Sequence, residues 1–117
     1  MRITCISRYP WKIISNGNLE SDTSEWNQYL NSWVHKTTWF VSYPINTYNV
    51  SLYIGDYVSF SEVYKGEKGD LNIDNYVLSY NLEKAKEQFK QVPMMIEAFE
   101  HWFGPYPFYE DSFKMVE

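Results

Sequence analysis

Two histidines, one cysteine and a group of carboxylates near the C-terminus are the side chains through which this 117-residue sequence could do chemistry. Neither His35 nor His101 stands at metal-ligand spacing, and no His-Glu-x-x-His string occurs. His101 follows Glu97 by one helical turn, so the two could share a ligand, but such a pair on a helix surface reads as solvated. His35, beside Lys36 in a strand-like run, reads as an exposed cross-strand residue. Cys5 has no obvious histidine partner and reads as a small buried hydrophobe, since a lone cysteine supplies neither an internal disulfide nor a thiolate zinc site. Glu97, Glu100, Glu110 and Asp111 would suit acid–base work if apolar surroundings moved a pKa. Nothing apolar brackets them, and they read as a solvated face. Gly66 and Gly69 lie between strands with no helix following, so they make no phosphate loop. Asn49-Val50-Ser51 fits a glycosylation acceptor but falls inside the cleanest strand pattern and is discounted.

The elements that must position these groups are β-structure up to about residue 80 and a helix after it. Residues 2–7 and 11–15 read as short strands parted by Tyr9-Pro10. Asn16-Gly17-Asn18 is turn chemistry, and the polar stretch 20–28 reads as an exposed connection. Residues 33–42, rich in Trp, Val, Thr and Phe, form the next strand, with apolar groups on both faces that suggest cover on both sides. Tyr48, Val50, Leu52 and Ile54 alternate with Asn49, Ser51 and Tyr53 in the clearest strand pattern. Gly55-Asp56 suggests a bend where the alternation changes face. A further strand to about Tyr64, a Gly-punctuated turn over 65–70 and a strand over 71–79 complete the β region. In residues 81–103, Leu82, Ala85, Phe89, Val92, Ile96, Phe99 and Phe103 recur at spacings of three and four and mark one helical stripe. Asn81 is placed to cap its first turn and Gly104-Pro105 to end it. Pro93 costs about 3 kcal/mol in an isolated helix interior, but the stripe keeps its phase across it, which predicts one kinked helix.

Ten Lys and Arg against fifteen Asp and Glu give a net charge of −5 with the basic residues scattered, which argues against nucleic acid as a partner. No apolar run approaches the ~18 residues of a membrane span and the N-terminus leads into a strand, so the sequence reads as soluble, its compartment left open. Aromatics make up 20% of the residues, including five Trp and eleven Tyr. Trp26, Tyr29, Trp33, Trp39, Tyr43 and Tyr48 could form a sugar-stacking platform; core and inter-domain packing is the reading preferred for them.

The string Phe103-Gly104-Pro105-Tyr106-Pro107-Phe108, after a helix that follows a β-rich segment, resembles a stretch of the aminopeptidase N and leukotriene hydrolase family of zinc metallopeptidases. The segment from Ser42-Tyr43-Pro44-Ile45-Asn46 through Gly55-Asp56-Tyr57 resembles that family's proline, loop, hydrophobic strand and glycine-aspartate near the end of its N-terminal β domain, and the turn at Asn16-Gly17 fits upstream. The resemblance spans nearly the whole chain. It implies a β-rich α+β fold: an antiparallel β-sandwich portion, one long Pro-kinked C-terminal helix and a short terminal strand.

The domains implied are residues 1–80, the second half of an aminopeptidase-type β domain, and 81–117, the opening helix, Pro-rich loop and first strand of a thermolysin-like catalytic domain. Phe103, Gly104, Pro105, Tyr106, Pro107 and Phe108, with Gly55 and Asp56, are then signature residues in a structural role. The family's Gly-x-Met-Glu-Asn and zinc motifs are expected beyond Glu117, so the resemblance places no catalytic or metal residue and no cofactor in this chain. It implies zinc, a peptide substrate and the rest of the catalytic domain as belongings of a longer parent, and self-association through the helix stripe where that stripe stands uncovered. The competing expectation is a standalone aromatic-rich β module that binds glycans or a protein.

Overall fold

The structure is a computed structural model describing residues 1–117. The fold is β-rich α+β, with three sheets, a long helical run near the C-terminus and a terminal strand. The chain divides into two compact units, Met1–Tyr57 and Val58–Glu117.

In the first unit β1 (Arg2–Arg8), β3 (Asn18–Asn27) and β4 (Ser32–Phe40) form an antiparallel sheet in the order β1-β4-β3, and β2 (Lys12–Ser15) pairs antiparallel with β5 (Leu52–Gly55). The stretch expected as an exposed connection is therefore strand β3. Its polar residues are exposed on both faces except Asn27, so no alternation marks it; the ladder to β4 holds it instead. Strand β4 is covered unevenly on its two faces: Thr37 and Trp39 are buried on one, and on the other Val34 is buried while Phe40 is exposed, with the Arg2 guanidinium 5.0 Å from its ring centre. Trp39 is 2% exposed and its indole nitrogen donates to the Ile13 carbonyl at 3.2 Å.

The clearest strand pattern is realised only in part. Residues Thr47–Asn49 form a 3-10 turn, in which the Asn49 backbone amide donates to the Asn46 carbonyl at 2.9 Å and the Asn46 side-chain Nδ2 donates to the Tyr48 hydroxyl at 3.0 Å. Local asparagine chemistry thus outcompetes the ladder, and β2 offers only four residues to pair with. Asn49 consequently lies on an exposed turn and not inside a strand.

The second unit holds β6 (Tyr57–Gly66, which begins one residue before it), β7 (Gly69–Leu78) and β8 (Phe113–Val116), in the order β6-β7-β8. Only Glu67 and Lys68 separate β6 from β7, a connection that suits an antiparallel hairpin, whereas β8 returns parallel to β7 after the helices, as a crossover connection permits. Strand β7 buries Leu71, Ile73, Asn75 and Val77 and leaves the alternate residues less covered, the period-2 pattern of a strand with one packed face. Against Leu71 and Ile73 pack Val92 and Ile96, flanked by Phe89, Met95, Tyr106 and Phe113.

The helical run comprises α1 (Leu82–Gln88), a 3-10 turn at Phe89–Gln91 and α2 (Val92–Phe103). The intervening residues stay in the right-handed region, so the chain does not leave the helical path, and the turn brings Pro93 into the first turn of α2, where a missing amide costs little. Asn81 does not cap through its side chain, which is hydrogen-bonded to the Glu117 carboxylate. The stripe is buried at Ala85, Val92 and Ile96 and runs out into solvent at Phe99 and at Phe103, which is 83% exposed.

Candidate functional site

The C-terminal half of α2 carries Glu100, which is only 5% exposed although it belongs to the carboxylate group read from sequence as a solvated face. The Tyr109 hydroxyl donates to its Oε1 at 2.7 Å, the Tyr64 hydroxyl to its Oε2 at 3.0 Å, and the Glu67 amide to Oε2 at 3.2 Å. These donors come from β6, the β6–β7 turn and the 3-10 turn Tyr109–Asp111, so one carboxylate ties three pieces of chain to one helix. Burial opposes the charge on Glu100, but the hydrogen bonds from Tyr109, Tyr64 and the amides of Glu67 and Tyr106 outweigh it and hold the carboxyl below its ordinary range. The same contacts act in reverse on the phenols: burial and then the neighbouring carboxylate push Tyr64 up to about 12 and raise Tyr109 as well.

Gly66 is required for this approach. A Cβ there would stand 2.2 Å from the Tyr109 hydroxyl, 2.7 Å from Tyr64 Cε1 and 2.8 Å from Glu100 Oε1. An open cleft of about 700 Å³ lies on one side of Glu100, between the β6–β7 turn and α2, lined among others by Lys65, Glu67, Glu97, His101 and Trp102. A second, more apolar groove of about 360 Å³ is bounded by Phe99, Phe103, Gly104–Pro107 and Phe113.

The signature string forms the wall of that second groove. Gly104 caps α2 at φ 84°, a conformation that favours glycine, and its amide donates to the Glu100 carbonyl at 2.9 Å. Tyr106 then turns inward, its ring edge-on to Phe113 at 5.5 Å and to Phe108 at 5.6 Å. Gly55 ends β5 opposite Lys12, and Asp56 is the bend before β6.

Of the remaining carboxylates, Glu97 and Glu110 are exposed while Asp111 is buried. Lys114 Nζ donates to the Asp111 carbonyl at 2.9 Å and to Ser112 Oγ at 3.0 Å, and Ser112 Oγ donates to Asp74 Oδ2 at 2.8 Å. Burial lowers the Lys114 pKa, against the pull of Asp74 and Asp111. This is a closed structural network around Ser112, which is held at φ 56°.

His35 is not the exposed residue expected: Tyr9 stacks on its ring at 5.1 Å, and Nδ1 lies 3.3 Å from Asp22 Oδ1 and 3.4 Å from Ser24 Oγ. Serine and aspartate approach the same ring nitrogen, so no proton relay from the hydroxyl through the imidazole to the acid can form. His101 stays exposed, edge-on to Trp102 at 4.9 Å. No group of three or more His, Cys, Asp or Glu side chains that could hold a metal ion is present, so zinc does not fit the residues of this chain. No helix is long and apolar enough to cross a membrane.

The sequence singles out Glu100 among the carboxylates but does not show its burial. The signal that could have marked it is the residue's place one turn beyond the buried Ile96, at the edge of the stripe.

No protein-family model matches the sequence, and no curated protein is significantly similar to it. Solved structures are. A Legionella pneumophila aminopeptidase A, crystallised with aspartic acid, superposes with a TM-score of 0.72 at 21% identity over 98% of this chain. A two-domain M1 zinc metallopeptidase bound to L-arginine superposes with a TM-score of 0.73 at 13% identity, again over 98%. The chain spans 13% and 25% of the lengths of those proteins. At these identities the likeness establishes a shared fold: the 117 residues are built like a segment of much larger aminopeptidases and metallopeptidases.

Proposed function

We propose that this chain is a non-catalytic portion of a zinc-dependent aminopeptidase of the aminopeptidase N and leukotriene hydrolase type, whose parent hydrolyses N-terminal residues from peptides. The observation that carries the reading is that the fold likeness runs over 98% of the chain in both neighbours. The strings at residues 42–57 and 103–108 point independently to the same family. Residues 1–80 are the second half of the N-terminal β domain, and residues 81–117 open the catalytic domain. In this reading Gly104 to Phe108 shape the junction, and the stripe that emerges at Phe99 and Phe103 is covered by the remainder of the catalytic domain. Zinc and the peptide substrate belong to the parent, and no catalytic step is assigned to a residue here. In isolation the chain self-associates through Phe99, Trp102 and Phe103, all exposed.

The test is a zinc titration and a peptidase assay with aminoacyl-4-nitroanilides on the purified chain, together with the coding sequence downstream of Glu117. The expected result is no turnover, no stoichiometric tight zinc binding, and a downstream frame carrying Gly-x-Met-Glu-Asn followed by His-Glu-x-x-His. Turnover or tight zinc binding by these residues alone would overturn the assignment, as would a natural parent lacking both motifs.

A further inference from the structure

We propose that one end of the β1-β4-β3 sheet is a binding site for a neutral oligosaccharide, a property separate from the aminopeptidase reading. Strand register sets Trp33, His35 and Thr37 of β4 opposite Trp26, Ser24 and Asp22 of β3. Alternate residues of a strand share a face, so these side chains form three successive rows on one face. The outermost row is aromatic: Trp26 and Trp33 meet edge to face at 6.1 Å, and Trp33 is 55% exposed. Beside it Tyr9, also exposed, lies over His35, and its amide donates to the Trp33 carbonyl at 3.2 Å. The inner rows are polar and mutually hydrogen-bonded: Asp22 Oδ1 takes the Thr37 hydroxyl at 3.3 Å and lies 3.3 Å from His35 Nδ1.

Exposed indole surface next to the exposed Ser24 hydroxyl and the Asp22 carboxylate, whose side chain is 32% exposed, offers what a pyranose requires, while His35 beneath Tyr9 and the buried Thr37 hold that carboxylate in place from below. The sugar's C–H face packs on the aromatic ring, and its hydroxyls find donors and acceptors already oriented. The charges on this face decide among ligands. Its rows hold no Lys or Arg and include a carboxylate, in a chain of net charge −5, which disfavours anionic polysaccharides, nucleic acid and acidic lipid surfaces. A purely apolar partner would strip water from the partly exposed Asp22 carboxylate without offering it a further hydrogen bond. The sequence-level platform is thereby sorted, because Trp39, grouped with these residues by composition, is buried and takes no part.

The test is isothermal titration of the full chain with neutral hexasaccharides of glucose, xylose, mannose and N-acetylglucosamine, with heparin as the anionic control. Acrylamide quenching of tryptophan fluorescence serves as a second readout that needs no variant. Saturable binding of a neutral hexasaccharide is expected, with protection of tryptophan from acrylamide and a loss of about tenfold in affinity for W33A and for W26A at an unchanged thermal midpoint. D22N should weaken binding without altering the circular dichroism spectrum. The proposal is overturned if no neutral hexasaccharide binds saturably at millimolar concentration, if binding is indifferent to both tryptophan changes, if heparin binds in preference, or if the face proves to hold a second copy, shown by concentration-dependent association that W33A abolishes.

Discussion

Replacing Glu100 tests whether one buried carboxylate ties α2 to the β6–β7 hairpin. In E100A the Tyr64 and Tyr109 hydroxyls and the Glu67 amide lose their shared acceptor. Hydrogen bonds to a charged group contribute about 1.5–3 kcal/mol each, offset by the several kcal/mol needed to take the carboxylate out of water. Stranding these donors, together with the Tyr106 amide, should cost about 3 kcal/mol, which for a chain of this size lowers the thermal midpoint by roughly 10–15 °C. E100Q keeps the shape and one acceptor but turns an amide N–H₂ toward a donor, and should cost about half as much. The pH dependence gives the sharper readout. The folded carboxyl titrates below its ordinary value of 4.5, so the unfolded chain takes the proton first. The stability contributed by Glu100 is therefore complete above that value and is lost as pH falls through the folded pKa. The midpoint gap between wild type and E100Q, followed by circular dichroism from pH 7 to pH 3, should shrink on acidification. A gap that stays constant or widens would refute the reasoning, as would a midpoint for E100A within about 2 °C of wild type at pH 7.

At the opposite end of the pH scale, Tyr64, held at about 12 in the fold, should ionise well above an ordinary phenol. The stability it contributes is whole below pH 10 and lost toward pH 12, which ultraviolet difference titration beside thermal melts will read. G66A forces a Cβ against the Tyr109 hydroxyl and should destabilise by about 1–3 kcal/mol in chemical denaturation, with the E100Q pH signature weakened in the same protein. Asn75 is fully buried and neither side-chain atom reaches a hydrogen-bond partner in the chain, so N75L should raise the thermal midpoint by the equivalent of about 1–3 kcal/mol. W39A should cost about 3–5 kcal/mol where W33A costs within about 0.5, a contrast that differential scanning calorimetry resolves directly.

Much of the fold was legible. The spacing-three-and-four stripe is a local property of the chain, and it placed the helical run to within a residue at both ends, Leu82 and Phe103. Gly104 was legible as a terminator because its conformation favours glycine. Strand β3 was not legible, because a strand exposed on both faces carries no alternation and takes its identity from β4. The alternation at residues 48–54 misled for the converse reason: a pattern can propose a strand, but its length is set by the partner, and β2 pairs with only four residues.

By itself, then, the sequence determined the β-then-helix order, the helix ends, the want of any metal-ligand spacing and the family resemblance at residues 103–108, all of which depend on neighbours close along the chain. Only the tertiary structure decided which charges and aromatics are inside. Glu100 is buried by a tyrosine 36 residues before it and another nine after it, Trp39 is sunk beneath the carbonyl of Ile13, and Trp33, six residues earlier on the same strand, is left in water. Burial is a sum over contacts from distant segments, and no window of sequence short enough to show a period contains them.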